Sequence, residues 1–342
     1  MPRIAASRIL IVLLGAIGDV TRALPLLCRV RRAYPEAHIT WAVETAAAAL
    51  VRKHPAVNDV IVFERSRGAP EFLRFLRRVR SLRPDLTLDL QRHLKSGVIS
   101  WASGAPVRLG FDRHNSREGN WLFNTDAVEP MSHFSSKLQQ MLAFADWLEL
   151  EAAPVEFGLQ LDEEEERQVD EMLTRIERPF LAAFVGSSCE SRLWFPDRTA
   201  RLIEAMAARG LETVLLGGSG VVELAAAIER AAGVRPLNLV GRTTLRHLYG
   251  ILCRAQVAFG PDCGPMHIAA AAGVPVVSLW GATSAKRSAP WRSESGVIEG
   301  EAPCSPCYLV RCPIGRLCME SITVEKVLDK LLPLTAMRAA PK

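Results

Sequence analysis

Short, almost continuous apolar runs alternate with longer amphipathic stretches along most of this chain. Residues 8–14, 38–43, 57–63 and 86–90 read as strands covered on both faces, where polar alternation is lost. Residues 20–34, a stretch from 45, residues 71–82 and a stretch from 95 carry the spacing of helices. This order predicts a parallel sheet with helices on both sides. Residues 111–136 are polar and irregular and are expected to supply active-site loops. Residues 154–162 read as a hinge, and the acidic run 162–166 then opens a helix, where negative charge suits the N-terminus. The rhythm restarts with strands at 180–185, 213–216, 237–240, 257–259 and 274–279, and helices at 197–209, 221–232 and 323–332. The expected fold class is α/β, with two doubly wound domains of similar size and a cleft between them.

Composition narrows this picture. With 342 residues, 49% hydrophobic and 23% charged, the chain suits two globular domains. No apolar run approaches the ~18 residues of a membrane span. The apolar residues 9–14 follow Arg3 and Arg8, as a signal sequence would. The run is short and Asp19 follows closely, so a buried strand and a cytoplasmic protein are expected. The net charge of +5 is uneven: residues 65–117 hold 12 Lys/Arg against 4 Asp/Glu. Such an excess suits an anionic partner such as a phosphorylated lipid, nucleic acid or an acidic membrane surface. For the helix at 74–83 a merely solvated face is an equal alternative. His93, Lys95, Arg108, Arg113, His114 and Arg117 fall in loops or at helix starts, where binding is the stronger expectation.

The chemistry lies where strands run into turns. Pro261-Asp262-Cys263-Gly264-Pro265-Met266-His267 follows a strand and opens a helix, with Pro265 at its first position. The N–H groups of Met266 and His267 are expected to be free there, forming an anion site beside Asp262. The first strand runs into Gly15-Ala16-Ile17-Gly18-Asp19. That is not the Gly-x-Gly-x-x-Gly fingerprint, which argues against a dinucleotide-dependent oxidoreductase. Asp19 reads either as a helix N-cap or as a general base. Gly186-Ser187-Ser188, with Arg192 close behind, suits phosphate oxygens, although the serines also suit a plain turn. Glu223 follows another strand exit, as a sugar-hydroxyl acceptor or a surface group, with the surface favoured. Cys304, Cys307, Cys312 and Cys318 stand close together, as zinc or iron–sulfur ligands or, the favoured reading, as free or opportunistically paired thiols.

Residues 9–20 with Ala23-Leu24-Pro25, residues 262–267 running on to 279–283, and residues 103–111 together resemble glycosyltransferase family 9, the lipopolysaccharide heptosyltransferases. The resemblance spans nearly the whole chain. It implies the GT-B arrangement, two facing Rossmann-like domains with an interdomain cleft. Residues 1–155 would bind acceptor and 163–320 the nucleotide-sugar donor, with 321–342 a helix and tail packing back on the first domain. It implies inverting transfer of heptose from ADP-L-glycero-D-manno-heptose to the lipid A–Kdo inner core. The work would be done peripherally at the inner face of the cytoplasmic membrane, with no cofactor, catalytic metal or nucleic acid. Asp19 would be the base. Ser187, Ser188, Arg192, Glu223, Asp262, Cys263, Gly264, Met266 and His267 would bind donor. Gly18, His93, Lys95, Arg113 and Arg117 would bind acceptor. The chain departs from the family pattern at Arg192, where lysine is frequent, and at Cys263, where serine or threonine is usual. It departs again at Val221, where an acid is usual. The alternatives are a GT-B transferase with another donor or acceptor, and a nucleotide-binding protein with a degraded site.

Overall fold

The computed structural model describes residues 2–132 and 134–337, and they form two units, divided after Gln160. In the first, β1 (Arg8–Val12), α1 (Ile17–Ala33), β2 (His38–Glu44), α2 (Thr45–Arg52) and β3 (Asp59–Phe63) come first. Then follow α3 (Gly68–Ser81), β4 (Leu86–Asp89), α4 (Leu94–Ser103), β5 (Val107–Gly110), β6 (Asp126–Ala127) and α5 (Lys137–Trp147). The second unit begins with α6 (Glu163–Leu173), β7 (Phe180–Phe184), α7 (Pro196–Ala207), β8 (Glu212–Leu216), α8 (Val222–Ala231) and β9 (Leu237–Asn238). It continues with α9 (Leu245–Arg254), β10 (Val257–Pro261), α10 (Pro265–Ala271), β11 (Val276–Trp280) and α11 (Ala285–Ser288). It ends with β12 (Val297–Glu299), α12 (Leu317–Glu320) and α13 (Val324–Met337).

Each unit holds one six-stranded sheet, ordered β3-β2-β1-β4-β5-β6 and β12-β11-β10-β7-β8-β9. Every pairing is parallel. Both sheets have the same doubly wound order, and the order reverses between β1 and β4 in one and between β7 and β10 in the other. Ligands of such sheets sit outside the carboxyl ends of the strands at that reversal.

The central strands are largely apolar because helices cover both faces. Ile9 to Val12 are fully buried, as are all five residues of β7 and of β10. Beneath α3 and α4, Leu10, Val12 and Leu14 meet Phe63, Phe75, Val79 and Ile99. In the second unit, Trp194 packs edge-on against Phe259 with ring centroids 5.5 Å apart. Val327, Leu331 and Leu334 of α13 enter that same core. The final helix thus places these apolar side chains in the core of its own unit. Residues 338–342 of the expected tail lie outside the described residues.

The expected hinge at 154–162 falls where the units divide. The acidic run does open α6: Asp162 caps it, accepting from the Glu165 N–H at 2.9 Å, and Glu165 answers to the Asp162 N–H at 3.1 Å.

Candidate active site

At the carboxyl end of β1 the chain turns through Gly15 and Ala16 into α1, which starts at Ile17 rather than Val20. Ala16 is the N-cap residue, so Asp19 lies in the first turn and is not the cap. Its carboxylate is engaged on one oxygen only. Asp19 Oδ1 accepts from Arg22 Nη1 at 2.7 Å and from Lys137 Nζ at 2.9 Å. Oδ2 has no partner among the described residues. Burial pushes this carboxyl upward, but Lys137 and Arg22 outweigh it and hold the group below the usual carboxylate value. Asp19 is therefore a charged, oriented acid at neutral pH with one oxygen left to accept.

The neighbouring strand end holds a second acid. Asp89 closes β4 and is fully buried. It accepts from Asn120 Nδ2 at 2.7 Å, Ser96 Oγ at 3.2 Å and the Gln91 N–H at 3.1 Å. Burial dominates those hydrogen bonds and pushes its carboxyl up to about 7. Gln91 in turn accepts from the Leu14 N–H at 3.0 Å through Oε1, tying this corner to the loop that leads to Asp19.

Among the expected acceptor residues, Gly18 is buried in the same turn as Asp19. The others serve different partners. His93 Nδ1 lies 3.1 Å from Glu118 Oε1, and Lys95 Nζ 3.1 Å from Glu44 Oε1. Lys95 also stands over the Phe63 ring, and Arg113 over Trp121. Arg113 and Arg117 are exposed.

In the second unit, the ends of β7 and β10 converge at Asp262. Its Oδ2 forms an ion pair with Arg192 Nη1 at 2.9 Å and accepts from Thr283 Oγ1 at 2.7 Å. Ser187 Oγ donates to the Asp262 carbonyl at 2.9 Å. Arg192 carries a second resource: its buried Nε has no hydrogen-bond partner among the described residues. A buried guanidinium N–H without an acceptor is costly and marks a place where an anion would be welcomed.

Sequence reasoning fails in detail at α10. The Met266 N–H donates to the Cys263 carbonyl at 3.3 Å and the His267 N–H to the Gly264 carbonyl at 3.1 Å. These amides close the first turn and are not free, and both side chains are buried. The N–H groups of Cys263 and Gly264, one step earlier, have no backbone acceptor among the described residues, and Gly264 is half-exposed. The Cys263 thiol is pushed up to about 12, above all by burial, so it stays protonated.

Ser188 is exposed, with its Oγ 3.8 Å from Cys189 Sγ. Glu223, in the first turn of α8, is exposed and makes no hydrogen bond or ion pair among the described residues, as the surface reading has it. Val221, just before it, lies over the strand ends: a Cβ on Gly217 would meet its Cγ2 at 2.7 Å, and one on Gly186 at 2.9 Å. The valine has become part of the wall.

The eight cysteines are free thiols. Cys318 is buried and its thiol is raised, first by burial, with Cys304, Cys307 and Cys312 near enough to add to the effect. Cys312 Sγ accepts from the Arg316 N–H at 3.1 Å. Among the described residues no three His, Cys, Asp or Glu side chains are gathered as a metal site.

Sequence reasoning missed Arg22, Lys137, Asp89 and Thr283. Arg22 stands three residues after Asp19, a spacing that pairs on a helix. Lys137 left no local signal.

Comparison with known proteins places the chain as a whole. The model of glycosyltransferase family 9 (heptosyltransferase) matches residues 72–317. Lipopolysaccharide heptosyltransferase 1 of Pseudomonas aeruginosa is 28% identical over 89% of this chain and 87% of its own. The lipopolysaccharide core heptosyltransferase OpsX of Haemophilus influenzae is 24% identical over 86% of this chain and 84% of its own. In fold, the solved E. coli ADP-heptose lipopolysaccharide heptosyltransferase II matches with TM-score 0.78 at 22% identity, over 96% of this chain and 99% of that one.

Proposed function

Since the chain belongs to glycosyltransferase family 9, we propose that it transfers a heptose from ADP-heptose to the inner core of lipopolysaccharide, with Asp19 as general base. The observation that carries this reading is the one-sided engagement of Asp19. Lys137 and Arg22 hold Oδ1 and keep the group charged, and Oδ2 is left to accept a proton.

In the proposed reaction the acceptor hydroxyl attacks the anomeric carbon as the bond to the diphosphate breaks, inverting that carbon. A carboxylate held below its usual value is a weak base toward an alcohol. The proton therefore moves to Oδ2 as the new bond forms, not before it. Lys137 and Arg22 orient the acid at some expense of its basicity.

The leaving ADP gains negative charge, which Arg192 would stabilise. Its Nη1 already holds Asp262 and its Nε awaits an acceptor, so a phosphate there adds a charge-assisted bond without breaking the existing one. The Gly264 N–H is a further donor beside it. Ser187 is assigned to holding the Asp262 carbonyl, and Met266 and His267 to packing beneath the turn.

Incubation with ADP-heptose and truncated lipopolysaccharide acceptors, following ADP release, tests the substrates. Release with another nucleotide sugar alone would select the alternative donor. Asp19→Asn should cut turnover ~10²–10⁴-fold, the usual worth of a general base. ADP binding should persist in that variant. Near-normal turnover by it would remove Asp19 from the role.

A further inference from the structure

The second unit holds a cavity at the sheet edge opposite Asp262 and Arg192. Its volume is about 250 Å³, and it lies where β8 and β9 begin, beside Glu212 and Leu237. Ile203 and Ala207 of α7, with Leu211 and Val234, give it apolar walls. A dry cavity of about 150 Å³ already takes a benzene ring, so there is space here for a ring with a substituent.

The mouth is basic. Arg175 and Arg178 come from the connection between α6 and β7, and Arg235 from that between α8 and β9. All three are exposed, and none makes an ion pair or a side-chain hydrogen bond among the described residues. Glu212 is the one carboxylate in the lining and is equally unpaired, so three guanidiniums face one acid.

The inner end is polar in one place. Thr213 lines the cavity, is only 4% exposed, and its buried Oγ1 has no hydrogen-bond partner among the described residues. Thr213 and Leu215 share one face of β8. Leu215 belongs to the core that also holds Ile203, so Thr213 faces α7, on the side of the cavity. A buried hydroxyl with no partner is costly, and a valine of the same shape would avoid the cost.

We infer that this cavity binds a small organic phosphate. Its phosphate meets Arg175, Arg178 and Arg235 at the mouth, its ring lies between the apolar walls, and an atom at its far end pairs with the Thr213 hydroxyl. Guanidinium forks match phosphate oxygens, and three of them favour a dianion despite Glu212. The strand between the two edges, β7, is five residues long. At ~3.3 Å per residue that is about 16 Å, so this site is separate from the corner at Asp262.

The test needs no transfer reaction. The full chain is titrated in a calorimeter with three probes. These are 4-nitrophenyl phosphate, which carries an acceptor opposite its phosphate, phenyl phosphate, which carries none, and inorganic phosphate. The first should saturate a single site, severalfold more tightly than the second and about tenfold or more tighter than the third. Thr213→Val should bring the first probe down to the second without lowering the melting temperature, since it breaks no bond. Arg175→Gln with Arg235→Gln alters only exposed side chains and should weaken both organic probes by about tenfold or more, with unchanged circular dichroism. Arg192→Ala should weaken neither. The inference fails if 4-nitrophenyl phosphate does not bind saturably, or if inorganic phosphate binds as tightly, which would mark a merely basic surface. It fails too if Thr213→Val leaves the preference between the two organic probes intact. Loss of binding in Arg192→Ala, with the double arginine variant unaffected, would place the probe at the Asp262 corner and overturn it.

Discussion

Asp89 should make the first unit less stable as the pH rises through neutrality. An acid whose folded pKa lies above its unfolded value holds its proton longer in the native state. Its stabilising contribution is complete below about 3.8, is lost as pH climbs to about 7, and is constant beyond. From 3.8 to about 7, at about 1.4 kcal/mol per pH unit, the loss is about 4 kcal/mol. Between pH 5 and pH 8 it comes to about 3 kcal/mol, large beside the ~5–15 kcal/mol that holds a domain folded. The origin is physical: Asp89 is fully buried and receives hydrogen bonds from Asn120, Ser96 and the Gln91 N–H, but no cation among the described residues faces it. Asp89→Asn is nearly isosteric with the protonated acid and does not titrate. The assay is hydrogen exchange of the β1 and β4 amides at several pH values between 5 and 8, corrected for intrinsic exchange, in both proteins. Opening free energies should converge or favour the variant at pH 8 and favour the native protein at pH 5. A difference between the two that stays constant with pH would refute the reasoning and show Asp89 ionising as a solvated acid does.

Lys137→Met removes one of the two cations that hold the Asp19 carboxyl low, so its pKa should rise. The acid limb of kcat/KM should then move to higher pH, and an unmoved limb would show that Lys137 does not tune Asp19. Because the native Asp19 value is depressed, its contribution to stability is present above the unfolded value and lost as pH falls through the folded one. Arg192→Ala should weaken ADP binding by about 10- to 100-fold, the worth of a charge-assisted hydrogen bond of about 1.5–3 kcal/mol. Calorimetry showing unchanged affinity would count against Arg192 as a phosphate ligand. Leu331→Ala empties a fully buried position in α13 and should cost the second unit about 2–5 kcal/mol. A melting temperature unchanged by that substitution would mean the last helix is not part of that core.

The central strands are legible in the sequence to within a residue or two, because parallel strands buried on both faces are apolar without interruption. The short strands at the sheet margins are not: β6 is Asp126–Ala127 and β12 is Val297–Glu299, too brief and too polar for a periodicity to form. The start of α1 is obscured because Gly18 reads as loop although it sits in the first helical turn. At the candidate site, the residues that lie on strand exits could be named, Asp19, Ser187, Arg192 and Asp262 among them. Their pairings could not. Lys137 reaches Asp19 from 118 positions away, and Arg192 meets Asp262 across a strand reversal. The Met266 and His267 amides were misassigned because the rule for helix starts does not say which N–H groups a tight first turn consumes.

The shared strand order of the two sheets has a consequence for how the chain is made. β1 acquires β2 as a neighbour early, but its other neighbour is β4, so Ile9 must wait for Leu86. β7 waits as long for β10, from Leu181 to Val257. At ~5–20 residues per second of synthesis, each sheet's middle strand stands with one bare edge for ~4–15 s. Twice during its birth the protein presents an open, largely apolar strand, and those two intervals are when a chaperone has the most to protect.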